Sequence, residues 1–367
     1  MREDTVTLRQ YMASVFVAMF SPVSRLLPAT AAQIAGSSGW VSPLLALLPL
    51  AGLTAVMHYL LRFGEESVGL GTALRRILGD FPGKMVTLLL TFWIVFYCGF
   101  LLRSGEERLI AAVYPSARPG FFIPAILAVC TLAAAGPLRC AFRCGTVILL
   151  LFAGALLLVF LLALPSVKLS FLWPLRLLEP GKLALSVLPA ADVMSPWVYF
   201  TFLRGRVGKD ERALTRGWKG MFAVAMGAAM LLICTLGVLG PELSARQQYP
   251  FFVMIKNLSV FHVIQRVEPL VVTIWLMTDF VCVMLGLAAA AEAQSCVLPG
   301  KRSLYVLLFS LAALVLSFLM APDDRVLSFL SDRVVPAVNL AISFLGMPLL
   351  LLLKFCTKKL KMWKNRY

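Results

Sequence analysis

Two stretches decide how this chain folds. The first reads Phe20-Ser21-Pro22-Val23-Ser24-Arg25-Leu26-Leu27-Pro28, and the second reads Leu188-Pro189-Ala190-Ala191-Asp192-Val193-Met194-Ser195-Pro196. Each places two prolines and a charge in the middle of an apolar run. Proline removes an N–H and collides with the preceding turn of a helix. Two prolines about two turns apart, with serine between them, predict an unwound middle. Such backbone survives in a bilayer only where protein or a water-filled cavity covers it.

The surroundings make the bilayer the relevant solvent. Of 367 residues, 60% are hydrophobic and only 14% charged, with a mean hydropathy of +0.88. A soluble domain is about 45–50% apolar and about 25% charged. The richness in Leu, Val and Phe also excludes disorder. Eight Cys in 367 residues are too sparse for a disulfide-built secreted module.

A transmembrane helix needs about 20 mostly apolar residues. Ten segments qualify: 11–35, 41–61, 85–113, 121–135, 145–164, 183–203, 221–239, 269–292, 304–320 and 335–355. The fourth is short and ends at Gly136-Pro137. The expectation is an all-α polytopic membrane protein, one transmembrane domain over 1–367. Its halves are residues 10–165 and 183–355, followed by a basic tail at 356–367. The broken stretches are the first helices of the two five-span halves. Interrupted helices at matching positions are the sequence pointer to a transporter-type inverted repeat with a binding site at mid-membrane. Half-helix N–H ends suit a carboxylate and C=O ends suit an ammonium, and an amino acid carries both.

Charge sets the orientation. Thirty-four Lys and Arg against 18 Asp and Glu give +16. In a soluble protein that excess would point to nucleic acid. Here the tail carries Lys354, Lys358, Lys359, Lys361, Lys364 and Arg366, which places it in the cytoplasm by the positive-inside rule. Ten spans put the N-terminus on the same side. The loops that then face the cytoplasm hold most of the remaining basic residues, including Arg75, Arg76, Lys84, Arg204, Arg206, Arg212, Arg216 and Lys219. The loop from Asp323 to Arg333, on the opposite side, is net acidic. The excess therefore reads as orientation and contact with anionic lipids, with no nucleic acid. No cleavable signal peptide is expected, since the first apolar run is long and lacks a small-residue cleavage site. No large soluble domain is expected either.

Three ionisable residues sit deep: Arg25, Asp192 and Asp279. Each costs roughly 2.5–3.5 kcal/mol at a helix centre unless it pairs or faces water. Arg25 is expected to pair with Asp192 or Asp279. Glu292, near a helix end, can snorkel instead. The third span carries Arg103-Ser104-Gly105-Glu106-Glu107-Arg108, with i,i+4 neighbours at Arg103/Glu107 and Ser104/Arg108. That face lines a vestibule, meets a partner or is a solvated helix end. Tyr97, upstream, is placed to reach a central site. The stretch from Tyr249 to Phe261 has an apolar helical face too short to span, and reads as an interfacial helix over the bundle. Arg266 and Glu268 then lead into the eighth span.

Enzyme chemistry has little footing. His58 and His262 have no carboxylate or Cys at metal-ligand spacing, and Cys140/Cys144 is a bare CxxxC. There is no Walker loop, no GxSxG and no nucleophile with an evident base. No cofactor or metal is implied.

With these residues in view the chain resembles the spore germination permease family. Thr7-Leu8-Arg9-Gln10 at the head, Arg25…Leu27-Pro28 before Gly39-Trp40-Val41-Ser42, and Phe81-Pro82-Gly83-Lys84 before the third span are similar to it. The most specific block is Tyr249-Pro250…Ile255-Lys256…Arg266-Val267-Glu268-Pro269…Ile274-Trp275. The family comprises the B subunits of nutrient germinant receptors, within the amino acid–polyamine–organocation superfamily. The resemblance implies a leucine-transporter-like 5+5 inverted repeat with helices 1 and 6 broken. It implies the inner spore membrane, a small nutrient such as an amino acid, and signalling with an A-type membrane subunit and a C-type lipoprotein. Carried over by position, the ligand would lie around Ser21, Val23, Ser24, Arg25, Tyr97, Ala191, Asp192, Ser195 and Asp279. Relatives often have glycines at the first break and a glycine-plus-acid pair at the sixth; this chain has Ser-Pro-Val-Ser and Ala-Ala-Asp. The larger side chains put the backbone contacts to a zwitterion in question. The alternative function is a proton- or sodium-coupled amino acid transporter.

Overall fold

Helix formation begins where the chain supplies a cap. Gln10 N–H donates to Thr7 Oγ1 at 3.3 Å, and Thr7 N–H donates to Gln10 Oε1 at 3.3 Å, forming a capping box. From there α1 runs Leu8–Ala35. The computed structural model describes residues 6–63, 66–173, 179–208, 210–258, 268–320 and 323–364. Nine further long helices follow among them. They are α2 (Leu47–Leu61), α3 (Asp80–Ala112), α4 (Ile123–Ala135), α5 (Leu138–Ala163), α6 (Pro180–Met194), α7 (Ala213–Leu239), α8 (Glu268–Val297), α9 (Arg302–Leu319) and α10 (324–364).

Among the described residues, eight helical stretches are long and apolar enough to cross a membrane, the first being the 54-residue Leu8–Leu61. At 1.5 Å per residue that stretch would measure about 80 Å, over twice a bilayer core of about 30 Å. The turn Gly36–Val41 divides it into α1 and α2. With the shorter α4, the ten segments read from the sequence are all helical. Leu48, Leu132, Leu150, Leu319 and Leu345 project outward and exposed, a belt suited to acyl chains rather than water. The hub is α8, with 83% of its apolar stretch buried against 22% for α9. It packs on α3, α4, α9 and α1, while α1 is enclosed by α5, α6, α7 and α8.

One expectation fails here. The first helix is not broken: α1 is continuous from Leu8 to Ala35 with Pro22 and Pro28 inside it. Each proline removes the donor for a carbonyl four residues earlier, those of Ala18 and Ser24. Both residues are buried, so neighbouring helices rather than lipid cover the freed carbonyls. The sixth span does break. α6 ends at Met194, Ser195 and Pro196 are non-helical, and Trp197–Phe200 resumes for one turn before tighter turns to Arg206. Val6 then joins this end to the start of α1: its N–H donates to Arg206 O at 3.1 Å, and Gly208 N–H donates to Val6 O at 2.9 Å.

The charged run of the third span is neither solvated nor a free helix end. Arg103, Ser104, Glu106 and Arg108 are all buried. Glu106 accepts from the N–H groups of Gly120 and Phe122 at 2.7 and 2.9 Å and so fixes the α3–α4 connection. Arg108 Nη2 donates to Asp279 Oδ2 at 2.6 Å, joining α3 to α8, and its guanidinium lies 5.2 Å from the Trp275 ring centroid. Ser21 of α1 donates to the other oxygen of Asp279. Gly105 makes room for this carboxylate, since a Cβ there would stand 2.8 Å from Asp279 Oδ2. The expected pairing of Arg25 with Asp192 or Asp279 does not form. Arg108 occupies Asp279, and Arg25 has no ion pair among the described residues.

The short helix Pro250–Lys256 buries Phe251, Phe252, Met254 and Ile255 against α1, α7 and α8, so it is packed into the bundle rather than laid over it. Residues 259–261 of the expected interfacial segment, and Arg266, lie outside the described residues.

Two outcomes follow. Arg108→Gln strands the Asp279 carboxylate, and removing one partner of a buried pair costs about 3–5 kcal/mol. Thermal unfolding of the detergent-purified protein shows this as a lower Tm that Asp279→Asn on the same background partly restores. At Gly145 of α5 a Cβ would stand 3.2 Å from Ser14 Cα. Gly145→Val therefore costs about 1–3 kcal/mol through overpacking, and Ser14→Gly relieves part of the drop in Tm.

Candidate functional site

The sixth span places its charge one turn above its break. Asp192 O accepts the Ser195 N–H at 3.0 Å and the Ser195 hydroxyl at 3.1 Å, which closes the last turn of α6. The Asp192 carboxylate accepts from Asn339 Nδ2 at 3.2 Å. Asn339 Oδ1 in turn accepts from the Tyr199 hydroxyl at 2.7 Å and from Trp93 Nε1 at 3.2 Å. α3, α6 and α10 thus meet in one buried polar chain. Around Asn339, α10 is wound into wider π-helical turns at Leu330–Val334 and Ala341–Gly346. Such turns occur frequently at functional sites.

Arg25 faces the same space from α1. It is buried, its Nη1 donates to Ser104 Oγ, and its guanidinium lies 5.0 Å from the Phe100 ring centroid. Its Nε is buried with no hydrogen-bond partner among the described residues. Arg25 and Asp192 both line a cavity of about 580 Å³ bounded by α1, α3, α6, α10 and the segment before Pro250. That volume is of the order that holds a small ligand. The wall carries both signs of charge: Arg25 and Arg333, with Glu107, Asp192 and Asp332. Gln248 Nε2 donates to Glu107 at 3.0 Å, and Tyr249 beside it packs 6.1 Å from Trp275, ring centroid to centroid. Burial pushes the Tyr249 phenol well above its ordinary range, so it remains a donor.

The other residues singled out from the sequence stand behind this wall. Ser21 and Asp279 belong to the Arg108 cluster. Ser24 donates to Ser21 O at 3.3 Å within α1, and Val23 and Ala191 are buried in packing. Ser195 caps α6. Tyr97 is packed between Phe100 and Tyr199, with ring centroids 6.3 and 6.2 Å away. Residues the sequence reading gave no part in a site are Tyr199, Arg333 and above all Asn339. A lone amide in the apolar run Val338-Asn339-Leu340 was the available signal.

What the arrangement offers chemically is a desolvated cation and a desolvated carboxylate in one chamber. A buried guanidinium without a counter-charge is costly, so an anionic group entering the cavity finds a ready partner. Among the described residues no group of three His, Cys, Asp or Glu side chains stands ready to hold a metal ion.

Known proteins place the fold and the family. The crystal structure of MhsT in complex with L-phenylalanine superposes on this chain with a TM-score of 0.65, covering 96% of this chain and 89% of that one at 14% identity. The fold is therefore leucine-transporter-like and all-α. No curated protein sequence matches. A family profile described as "Spore germination protein" matches residues 5–325. That match covers α1, α6 and the block after the seventh span, stopping short of the α10 residues that line the cavity, and the chain belongs to the spore germination permease family.

Proposed function

We propose that this protein is the nutrient-sensing membrane subunit of a spore germinant receptor, and that a small zwitterion such as an amino acid binds in the cavity between α1, α6 and α10. The observation that carries the reading is Arg25, a buried guanidinium whose Nε has no partner among the described residues and which lines the same cavity as Asp192. A carboxylate would take the Arg25 guanidinium, and an ammonium would sit toward Asp192. Asp279 is held by Arg108 and Ser21, and so plays no direct part in holding the ligand. The larger residues around Pro22 in the unbroken α1 and at the sixth-span break shift recognition from backbone groups to these side chains. The fold relative MhsT was crystallised with an amino acid, which agrees with a ligand of this size.

Family membership supports a receptor composed of this chain, an A-type membrane subunit and a C-type lipoprotein in the inner spore membrane. The basic tail supports cytoplasmic termini with anionic lipids around them. A second reading is a proton- or sodium-coupled amino acid transporter. Asp192, a buried carboxylate at mid-membrane, is the residue type that carries protons in such proteins.

Titration calorimetry of the protein in lipid nanodiscs against the twenty amino acids tests the site. At least one ligand is expected to bind, and Arg25→Gln weakens it by about 10–100-fold, the worth of a charge-assisted hydrogen bond of about 1.5–3 kcal/mol. Equal affinity in the variant would sink the role given to Arg25. Uptake into proteoliposomes separates the two readings. The sensor binds without concentrative accumulation, whereas accumulation driven by a proton or sodium gradient establishes the transporter.

A further inference from the structure

A second cavity, of about 750 Å³, opens at the N-terminal end of α1. Its walls come from the first turns of α1, from α2 and α7, and from the segment that follows the break in the sixth span. It shares no lining residue with the cavity that holds Arg25 and Asp192. Val15 and Arg25, the nearest α1 residues of the two, are ten residues apart, about 15 Å along the helix.

Most of the wall is apolar, with Met12, Leu214 and Met221 contributing to it. Among the polar side chains on the wall, which also include His58, Arg62 and Glu211, three donors stand out: Tyr11, Trp197 and Arg204. The Tyr11 hydroxyl and the Trp197 indole N–H are buried with no hydrogen-bond partner among the described residues. Their side chains are more than nine-tenths buried, Tyr11 being 4% and Trp197 8% exposed. Arg204, also 8% exposed, donates from Nη1 to the carbonyls of Val207 and Gly208 at 3.1 and 3.5 Å and has no ion pair among the described residues. Buried polar groups in native proteins are normally satisfied, and an exception calls for an explanation. At the rim, Glu66 and Asp210 are already engaged by Arg76 and Arg216.

Unsatisfied donors call for an acceptor, and an apolar wall calls for an apolar body. We propose that this cavity is a second ligand site for an amphipathic anion, with carboxylate or phosphate oxygens toward Tyr11, Trp197 and Arg204 and an aliphatic chain along α1 and α7. The head chemistry is shared by a free fatty acid and by an anionic phospholipid of the adjoining leaflet. An occupant here touches α1 and the sixth span, the two elements that also line the nutrient cavity. It is therefore placed to bias that cavity without entering it.

The test uses the full chain. A hexadecanoic acid carrying a photoreactive diazirine is added to the detergent-purified protein, and a phosphatidylglycerol with the same group is added in nanodiscs. Labelled peptides are then mapped by mass spectrometry. The expected result is labelling of peptides containing Tyr11 or Trp197, displaced by unlabelled hexadecanoate. Tyr11→Phe and Trp197→Phe each reduce that labelling about 5-fold or more. Tyr11→Phe leaves Tm unchanged or raised, because it removes a hydroxyl with no partner among the described residues. Labelling in detergent identifies a free fatty acid, and labelling only in nanodiscs identifies the phospholipid. Labelling confined to the outward faces of α5 and α9, or cavity labelling unchanged in both variants, overturns the proposal. Amino acid binding at Arg25 is read separately and does not depend on it.

Discussion

The ion pair between Arg108 and Asp279 is the constraint around which the rest is arranged. It joins α3 to α8, the most enclosed helix, and Ser21 brings α1 onto the same carboxylate. Three helices thus share one charge at a depth where water cannot substitute for a missing partner. The pairing also has an indirect effect. Asp279 would otherwise be a counter-ion for Arg25, and once Arg108 holds it, Arg25 keeps, among the described residues, only the Ser104 hydroxyl and the Phe100 ring. The positive charge left over belongs to the cavity.

The second organising feature is the continuity of α1. A rod of 28 residues passes two prolines without interruption, lines one cavity near its start and the other near its end, and carries Ser21 between them. The break is confined to the sixth span, at Ser195 and Pro196. The two crossing elements are therefore unequal, one continuous and one jointed.

Much of this was readable in the residues. Hydropathy marks the ten segments, and the Thr7…Gln10 pair that resembles the family's head is physically a capping box. Arg25 and Asp192 attract notice because a charge among apolar residues has few explanations. What could not be read was partner choice. Arg108 and Asp279 are 171 positions apart, and nothing local distinguishes Arg108 from Arg25 as the partner of that carboxylate. Pro22 and Pro28 mark a weak helix, but whether it opens depends on α5, α6, α7 and α8 packed around it, which periodicity does not reveal. Asn339 was a visible anomaly whose partners, Asp192, Tyr199 and Trp93, come from distant spans.

Val6 is bonded through its backbone to Arg206 O and Gly208 N, so the chain's head is stapled to the far side of the jointed span. Mechanically this makes the N-terminus a handle. A load applied there is divided between the continuous helix and the segment beyond the joint. Anything attached upstream of Val6, such as a fusion partner or a purification tag, pulls on both cavities together. The C-terminal part of α10 is tied elsewhere, since Lys354 within it grips the carbonyls of Tyr59 and Leu60 at the end of α2.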